Sequence, residues 1–253
     1  MKFWNFIHIA ATETEPEGVE LRIEGEIVSD DDVWMYEWFG MAATSPNTFK
    51  EELAQYAGQD ITVWIDSYGG DVFAAAGIYN ALMEHKGNVT VKVDGKAMSA
   101  ASVIAMAGGE VQMSPVAVMM IHNPLTFSVG DAREMRHAAD VLDEVKETII
   151  NAYQIKSGRS RSKIGAMMDD EFWMSARTAI KEGFADGMLY ASAQGDDAQA
   201  MNFAFPRNAV LNSTNDAIKR MIALKPPEDL PPKPPDEPII DEEKELLLTI
   251  DLM

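Results

Sequence analysis

A serine, a histidine and a pair of glycines sit where short apolar runs break, the places from which side chains and backbone amides can reach a bound molecule. Ser99 follows the run VTVKVDGKAM and opens SAASVIAMAGG, a small-residue helical pattern. A serine in a sharp strand-to-helix turn holds its hydroxyl clear of the chain, and the first N–H groups of the helix stand beside it, ready to stabilise an oxyanion. The G-x-S-x-G pattern of a nucleophile elbow is absent, and on this turn alone an ordinary N-cap serine is the commoner role. Ser102 is a rival nucleophile whose position turns it into the helix packing.

His122 ends the apolar run VAVMMI and precedes Asn-Pro, which stops a strand. An imidazole at a strand end is well placed for general-base work, although a histidine there is by itself more often structural. Of the other three histidines, His8 lies in the N-terminal lead, His85 among charged residues, and His137 on a long amphipathic pattern. Ser67 to Asp71 reads SYGGD, and paired glycines expose N–H groups or simply make a tight turn. An oxyanion hole, a phosphate cradle and a turn all stay open. The segment lacks the lysine and spacing of a P-loop, so nucleotide binding is poorly supported.

The elements that must position these residues alternate along the chain. LRIEGEIV has strand periodicity, and SPNTFKEELAQYA from Ser45 begins with a capping-type serine followed by proline. ITVWID is a strand ending at the glycine turn, and VFAAAGIYNALMEH is a helix with Phe73, Gly77, Tyr79 or Asn80, and Met83 near one face. VTVKVDG and VAVMMIH are further strands. From Asp131 a long helix follows, with Met135, Ala138, Leu142, Val145, Ile149 and Tyr153 in a stripe and Gly158 as its stop. Strand, helix, strand in this order predicts an α/β fold with crossover units and largely parallel pairing.

Bulk properties narrow the classes. The 253 residues, 47% of them hydrophobic, suffice for one full-sized core plus appendages. There is no cysteine, which removes disulfides, thiolate metal sites and a cysteine nucleophile together; the four histidines show no ligand spacing, so no metal or cofactor is expected. A net charge of -20 repels nucleic acid and leaves a polypeptide as the easier partner. No segment reaches the roughly 18 apolar residues of a membrane span, so a soluble, intracellular protein without membrane contact is expected. Residues 1–18 read as a lead, 19–190 as the globular domain and 191–225 as a polar linker. Residues 226–253 are a proline-rich acidic tail with nine acidic and two basic side chains. The tail reads as disordered, or as a spacer with a short amphipathic segment that docks on a partner.

The order of the motifs is the stronger signal. Ser67-Tyr68-Gly69-Gly70 is similar to the Ser-Pro-Gly-Gly of the Clp protease proteolytic subunit family. Gly95 to Ser102 (GKAMSAAS) resembles that family's Gly-Gln-Ala-Ala-Ser-Met-Gly-Ala, and Met120 to Pro124 resembles Met-Ile-His-Gln-Pro. Phe172 to Met188 resembles the family's aromatic–Met-Ser-Ala ending. The four motifs fall in order, and the resemblance runs from about Leu21 to Leu189. The resemblance implies a Clp protease/crotonase-like spiral of ββα units with a long handle helix. It also implies a serine-type endopeptidase of the S14 type working through an acyl-enzyme.

Carried over, Ser99 is the nucleophile and His122 the base, with backbone N–H groups of Gly70 and Ala100 as the oxyanion hole. The third member falls at Glu171 where the family has aspartate, with Asp170 as the alternative. The resemblance implies polypeptide substrates and a homo-oligomeric ring, heptameric or of stacked heptamers. Residues 30–40 (DDDVWMYEWFG) and the acidic extension are closer to the Clp-like peptidases of tailed phages and prophages. That implies processing of scaffold and capsid proteins during prohead maturation, in the bacterial host cytoplasm or within the prohead. A housekeeping subunit fed by an ATP-driven unfoldase, an inactive assembly protein, and an acyl-CoA enzyme on the same spiral are the other readings. The last lacks an evident ADP-binding surface.

Overall fold

A computed structural model describes residues 6–9, 18–39, 41 and 43–190; the linker 191–225 and the tail 226–253 lie outside the described residues. The chain alternates sheet and helix as its periodicities require. Strand β1 (Phe6–Ile9) pairs antiparallel with β2 (Gly18–Ile27), so part of the expected lead joins the sheet. After the short helix α1 (Val33–Trp38) and strand β3 (Ala43–Thr44) comes helix α2 (Pro46–Ala54). Ser45 occupies the N-cap position of α2 but makes no capping bond with its side chain, which is buried near Thr48.

The centre of the sheet is parallel. β2 pairs with β4 (Ile61–Gly70), and β4 with β5 (Val89–Met98). The first half of β5 pairs with β6 (Glu110–Met113) and its last residues with β7 (Val118–Ile121). β7 in turn pairs antiparallel with β8 (Phe172–Ser175), and β9 (Gly187–Met188) closes on β6. Helix α3 (Val72–Glu84) links β4 to β5, and α4 (Ala100–Ala105) links β5 to β6, the crossovers expected of an α/β fold. Helices α5 (Ala132–Ser157), α6 (Arg161–Asp169) and α7 (Ala176–Glu182) complete the order. This is the mixed α/β architecture of the spiral, with α5 as the long helix.

Strict alternation on the strands places one row in the core. Ile61, Val63 and Ile65 of β4 and Val91 and Val93 of β5 are buried with Ile104, Met119, Ile121 and Phe184. On the other face Trp64 lies between Arg22 and Lys92, whose charges stand 5.3 and 5.0 Å from its ring. All six residues of α4 are buried, which explains their small size: a helix sandwiched between sheet and neighbouring helices has no room for bulk.

The sheet breaks at one level. Register shifts fall between Gly25 and Glu26 and between Ile65 and Ser67. Gly25 adopts a positive φ of 83°, and a side chain at Gly95 would strike the Asp66 carboxylate. Beyond that break the strands continue, so β4 runs through the glycine pair that the sequence marks as a turn: Gly69 pairs with Glu26 and Gly70 with Ile27.

Two helical faces differ from the sequence expectation. On α3 the buried residues are Ala74, Ala75, Ile78, Ala81 and Leu82, whereas Phe73 and Met83 are exposed. The buried face of α3 thus lies on a different side of the helix from Phe73 and Met83. Helix α5 starts with a capping box at Asp131 and Glu134 and ends at Gly158 with φ 66°, as its signals predict. Of its apolar stripe Ile149 and Tyr153 are buried, Ala138, Leu142 and Val145 are half-buried, and Met135 is exposed.

Candidate active site

Three neighbouring strand ends build the site. β7 lies between β5 and β8, with Met98 opposite Met120 and Ile121 opposite Phe172. Ser99 is the next residue after β5, His122 the next after β7, and Glu171 the one before β8. Because β8 runs antiparallel to β7, the residue preceding one strand lies beside the residue following the other. Register alone thus gathers a hydroxyl, an imidazole and a carboxylate from distant parts of the chain.

Ser99 occupies the N-cap position of α4, yet its hydroxyl serves another partner. Its side chain makes no capping bond, and its Oγ lies 2.7 Å from His122 Nε2. With the ring proton on Nδ1, the hydroxyl donates to Nε2, the arrangement that lets the ring remove the proton during attack. The backbone is strained to achieve this: Ser99 has φ 53° and ψ −126°, a conformation that costs about 1–3 kcal/mol outside glycine. The Ser99 N–H donates to the Met120 carbonyl at 2.9 Å, and the surrounding strands hold the turn in place.

Burial pushes the His122 pKa below its ordinary 6.5, and the negative charge of Glu171 pushes it back up. As a base, His122 would have to be neutral, so activity is expected to rise with pH as His122 loses its proton. The acid limb of a kcat/KM profile is therefore expected at a midpoint below 6.5, with a plateau at neutral pH. Replacing Glu171 with glutamine removes the negative charge that raises the pKa. The midpoint then moves to lower pH while the plateau falls about 10²- to 10⁴-fold. A midpoint moving upward would show that Glu171 does not face the ring.

Glu171 itself adopts φ 50°, and its carboxylate accepts a hydrogen bond from Trp173 Nε1 at 3.2 Å. Asp170, the alternative, occupies the exposed C-cap of α6. Asp169 accepts from Asn123 Nδ2 at 2.9 Å and from Lys146 Nζ at 2.5 Å; these bonds lower its carboxyl pKa and tie the loop after His122 to α5.

The glycine pair borders the serine turn. A Cβ on Gly69, which has φ 99°, would lie 2.6 Å from the Met98 carbonyl, 2.8 Å from Ser99 Cβ and 2.9 Å from the Ala100 nitrogen. Only a glycine lets the two chains approach so closely. Ser67 is buried and secures this bend, donating to the Gly25 carbonyl at 2.6 Å and accepting from the Gly69 N–H at 3.1 Å. Tyr68, which stands where the resembled motif has proline, is half exposed with the Lys96 ammonium 4.3 Å from its ring. Gly70 also lines a hollow with Glu26, Ile27, Tyr36 and Asp71, in which burial raises the pKa of Glu26 and of Tyr36.

Sequence reasoning passed over several residues around the site. Trp173 stands two positions from Glu171, so strand alternation could have placed them on one side. Ser102 does turn inward: it is buried and bonded to the Ser99 carbonyl and to Tyr153. No local signal joins it to Tyr153, which is 51 positions away. Among the described residues no group of three or more histidine, aspartate or glutamate side chains could hold a metal ion, and no helix is long and apolar enough to cross a membrane.

The sequence pattern of the family described as Clp protease matches residues 52–192. The ATP-dependent Clp protease proteolytic subunit of Bacteroides fragilis is 33% identical over 134 residues, 52% of this chain and 65% of that one. Its counterpart in Porphyromonas gingivalis is 32% identical over 134 residues, 52% of this chain and 60% of the other. The ATP-dependent Clp protease proteolytic subunit 1 of Chlamydia muridarum is 34% identical over 139 residues, covering 53% and 72%. The chain thus spans less than two thirds of the Bacteroides and Porphyromonas proteins.

Proposed function

The chain belongs to the Clp protease family, and from that premise we propose that it is a serine endopeptidase that cleaves polypeptides through an acyl-enzyme. The observation that carries this reading is the 2.7 Å approach of Ser99 Oγ to His122 Nε2, by a serine whose strained backbone leaves its hydroxyl out of any cap. His122 takes the Ser99 proton as Oγ attacks the peptide carbonyl. The N–H groups of Gly70 and Ala100 receive the developing oxyanion. The protonated ring then gives its proton to the leaving amine, and the acyl-enzyme forms on Ser99 Oγ. A water, deprotonated by the same ring, releases the acid product and restores the serine. Glu171 stabilises the imidazolium between these transfers.

The substrates we propose are scaffold and capsid proteins of a phage or prophage head. Residues 30–40 and the acidic tail, which lies beyond the family match, support that choice. The names of the relatives favour a second reading, a housekeeping subunit working with an ATP-driven unfoldase. A homo-oligomeric ring suits either. The exposed Leu125, Phe127 and Val129 after the histidine, and the uncovered stripe of α5, offer apolar surface for further copies of the chain.

The test is degradation of a folded, tagged protein and of a short fluorogenic peptide, with and without a bacterial Clp unfoldase and ATP. Peptide cleavage that ATP and the unfoldase leave unchanged, with no turnover of the folded protein, is expected. ATP-stimulated degradation of the folded protein would move the assignment to the housekeeping reading, and no peptide cleavage at all would overturn the peptidase.

A further inference from the structure

Resting on the reading of Ser99 as nucleophile, we propose that Tyr153 and Ser102 are positioning residues, a buried hydrogen-bond chain from α5 that clamps the nucleophile's own carbonyl. Ser102 Oγ lies 2.5 Å from the Ser99 carbonyl oxygen and 2.8 Å from the Tyr153 hydroxyl. A serine has one proton to give. Since the carbonyl can only accept, that proton goes to Ser99, and Tyr153 must donate to Ser102. The direction of the chain is therefore fixed: Tyr153 O–H to Ser102 Oγ, Ser102 O–H to Ser99 C=O. The Ser102 backbone N–H reaches the same carbonyl at 2.9 Å, so the oxygen is held by two donors from one residue.

The clamp sits where it is needed. Ser99 is held on its N–H side by Met120 of β7 and on its carbonyl side by Ser102, and between the two the backbone is forced to φ 53°. That φ is what aims Oγ at His122. Tyr153 is 1% exposed and its ring packs against Phe184 at 5.5 Å, so the outer end of the chain is anchored in the core. Burial also raises the pKa of the Tyr153 hydroxyl, which keeps it a donor at every working pH.

Removing Ser102 Oγ alone would leave the Tyr153 hydroxyl buried without its acceptor, and a loss of activity could then reflect lost stability. The double variant Ser102→Ala with Tyr153→Phe removes both polar groups and leaves none orphaned. It is expected to melt within about 5 °C of the wild type. Its kcat for peptide cleavage and its rate of fluorophosphonate labelling at Ser99 are expected to fall about 10- to 100-fold with KM unchanged, the cost of a nucleophile displaced by an ångström. A double variant that reacts as fast as the wild type would overturn the proposal. If wild type itself does not label at Ser99, the nucleophile reading fails instead. The crystal structure of the double variant still decides the clamp: relaxation of Ser99 to negative φ supports it, and an unchanged φ overturns it.

Discussion

Peptide hydrolysis by the Ser99→Ala variant is expected to fall by about 10⁴- to 10⁶-fold, by His122→Ala to a similar level, and by the double variant no further. The two side chains form one hydrogen-bonded unit, with Oγ 2.7 Å from Nε2, so removing either removes the same step. Residual turnover would come from the Gly70 and Ala100 amides and from substrate binding alone. Neither substitution should unfold the protein, because neither side chain belongs to the buried apolar cluster. Steady-state kinetics on the three variants, with circular dichroism to confirm the fold, is the check. Costs that multiply in the double variant would show that serine and histidine act separately.

Gly70→Ala is expected to have the largest effect on stability of any single methyl addition near the site. The added Cβ would stand 2.0 Å from the Ile27 carbonyl oxygen and 2.8 Å from its nitrogen. These are backbone atoms, with no flexible side chain to swing aside. The φ of 147° is itself one that other residues rarely adopt. β2 and β4 would have to separate at their ends, breaking the Asp71 N–H to Ile27 carbonyl bond of 2.7 Å. A loss of more than about 4 kcal/mol is expected, or an insoluble protein. Gly58→Ala is the control: its φ is 84° but no atom lies within 4 Å of the new methyl, so only the left-handed backbone cost of about 1–2 kcal/mol remains. Urea midpoints of the two variants compare them directly. Equal losses would mean that φ and not the approach of Ile27 decides.

Much of this arrangement is legible in the sequence because it is local. The capping box and the closing glycine of α5, the period-2 core row of β4 and the small residues of α4 each state their own conformation. Ser99 and His122 stand at the ends of apolar runs, and the order of the surrounding motifs links them. What local pattern cannot give is register. Nothing between Gly25 and Ser67 announces that the strands shift there, so composition ends β4 at the glycines that it in fact runs through. The α3 face misleads because the buried residues Ala74, Ala75, Ile78, Ala81 and Leu82 lie on a different side of the helix from Phe73 and Met83. The position of Glu171 beside His122 follows from antiparallel pairing of β8 with β7, a contact between segments about fifty positions apart. The chain from Tyr153 through Ser102 has the same character.

The most direct measurement is fluorophosphonate labelling of the full chain, followed by intact mass and peptide mapping of wild type and Ser99→Ala. An activated serine reacts with such a probe, whereas a capping or packing serine does not. One adduct on wild type, mapped to Ser99 and absent from the variant, is the predicted result. Equal labelling of both forms, or an adduct at another residue, would contradict it.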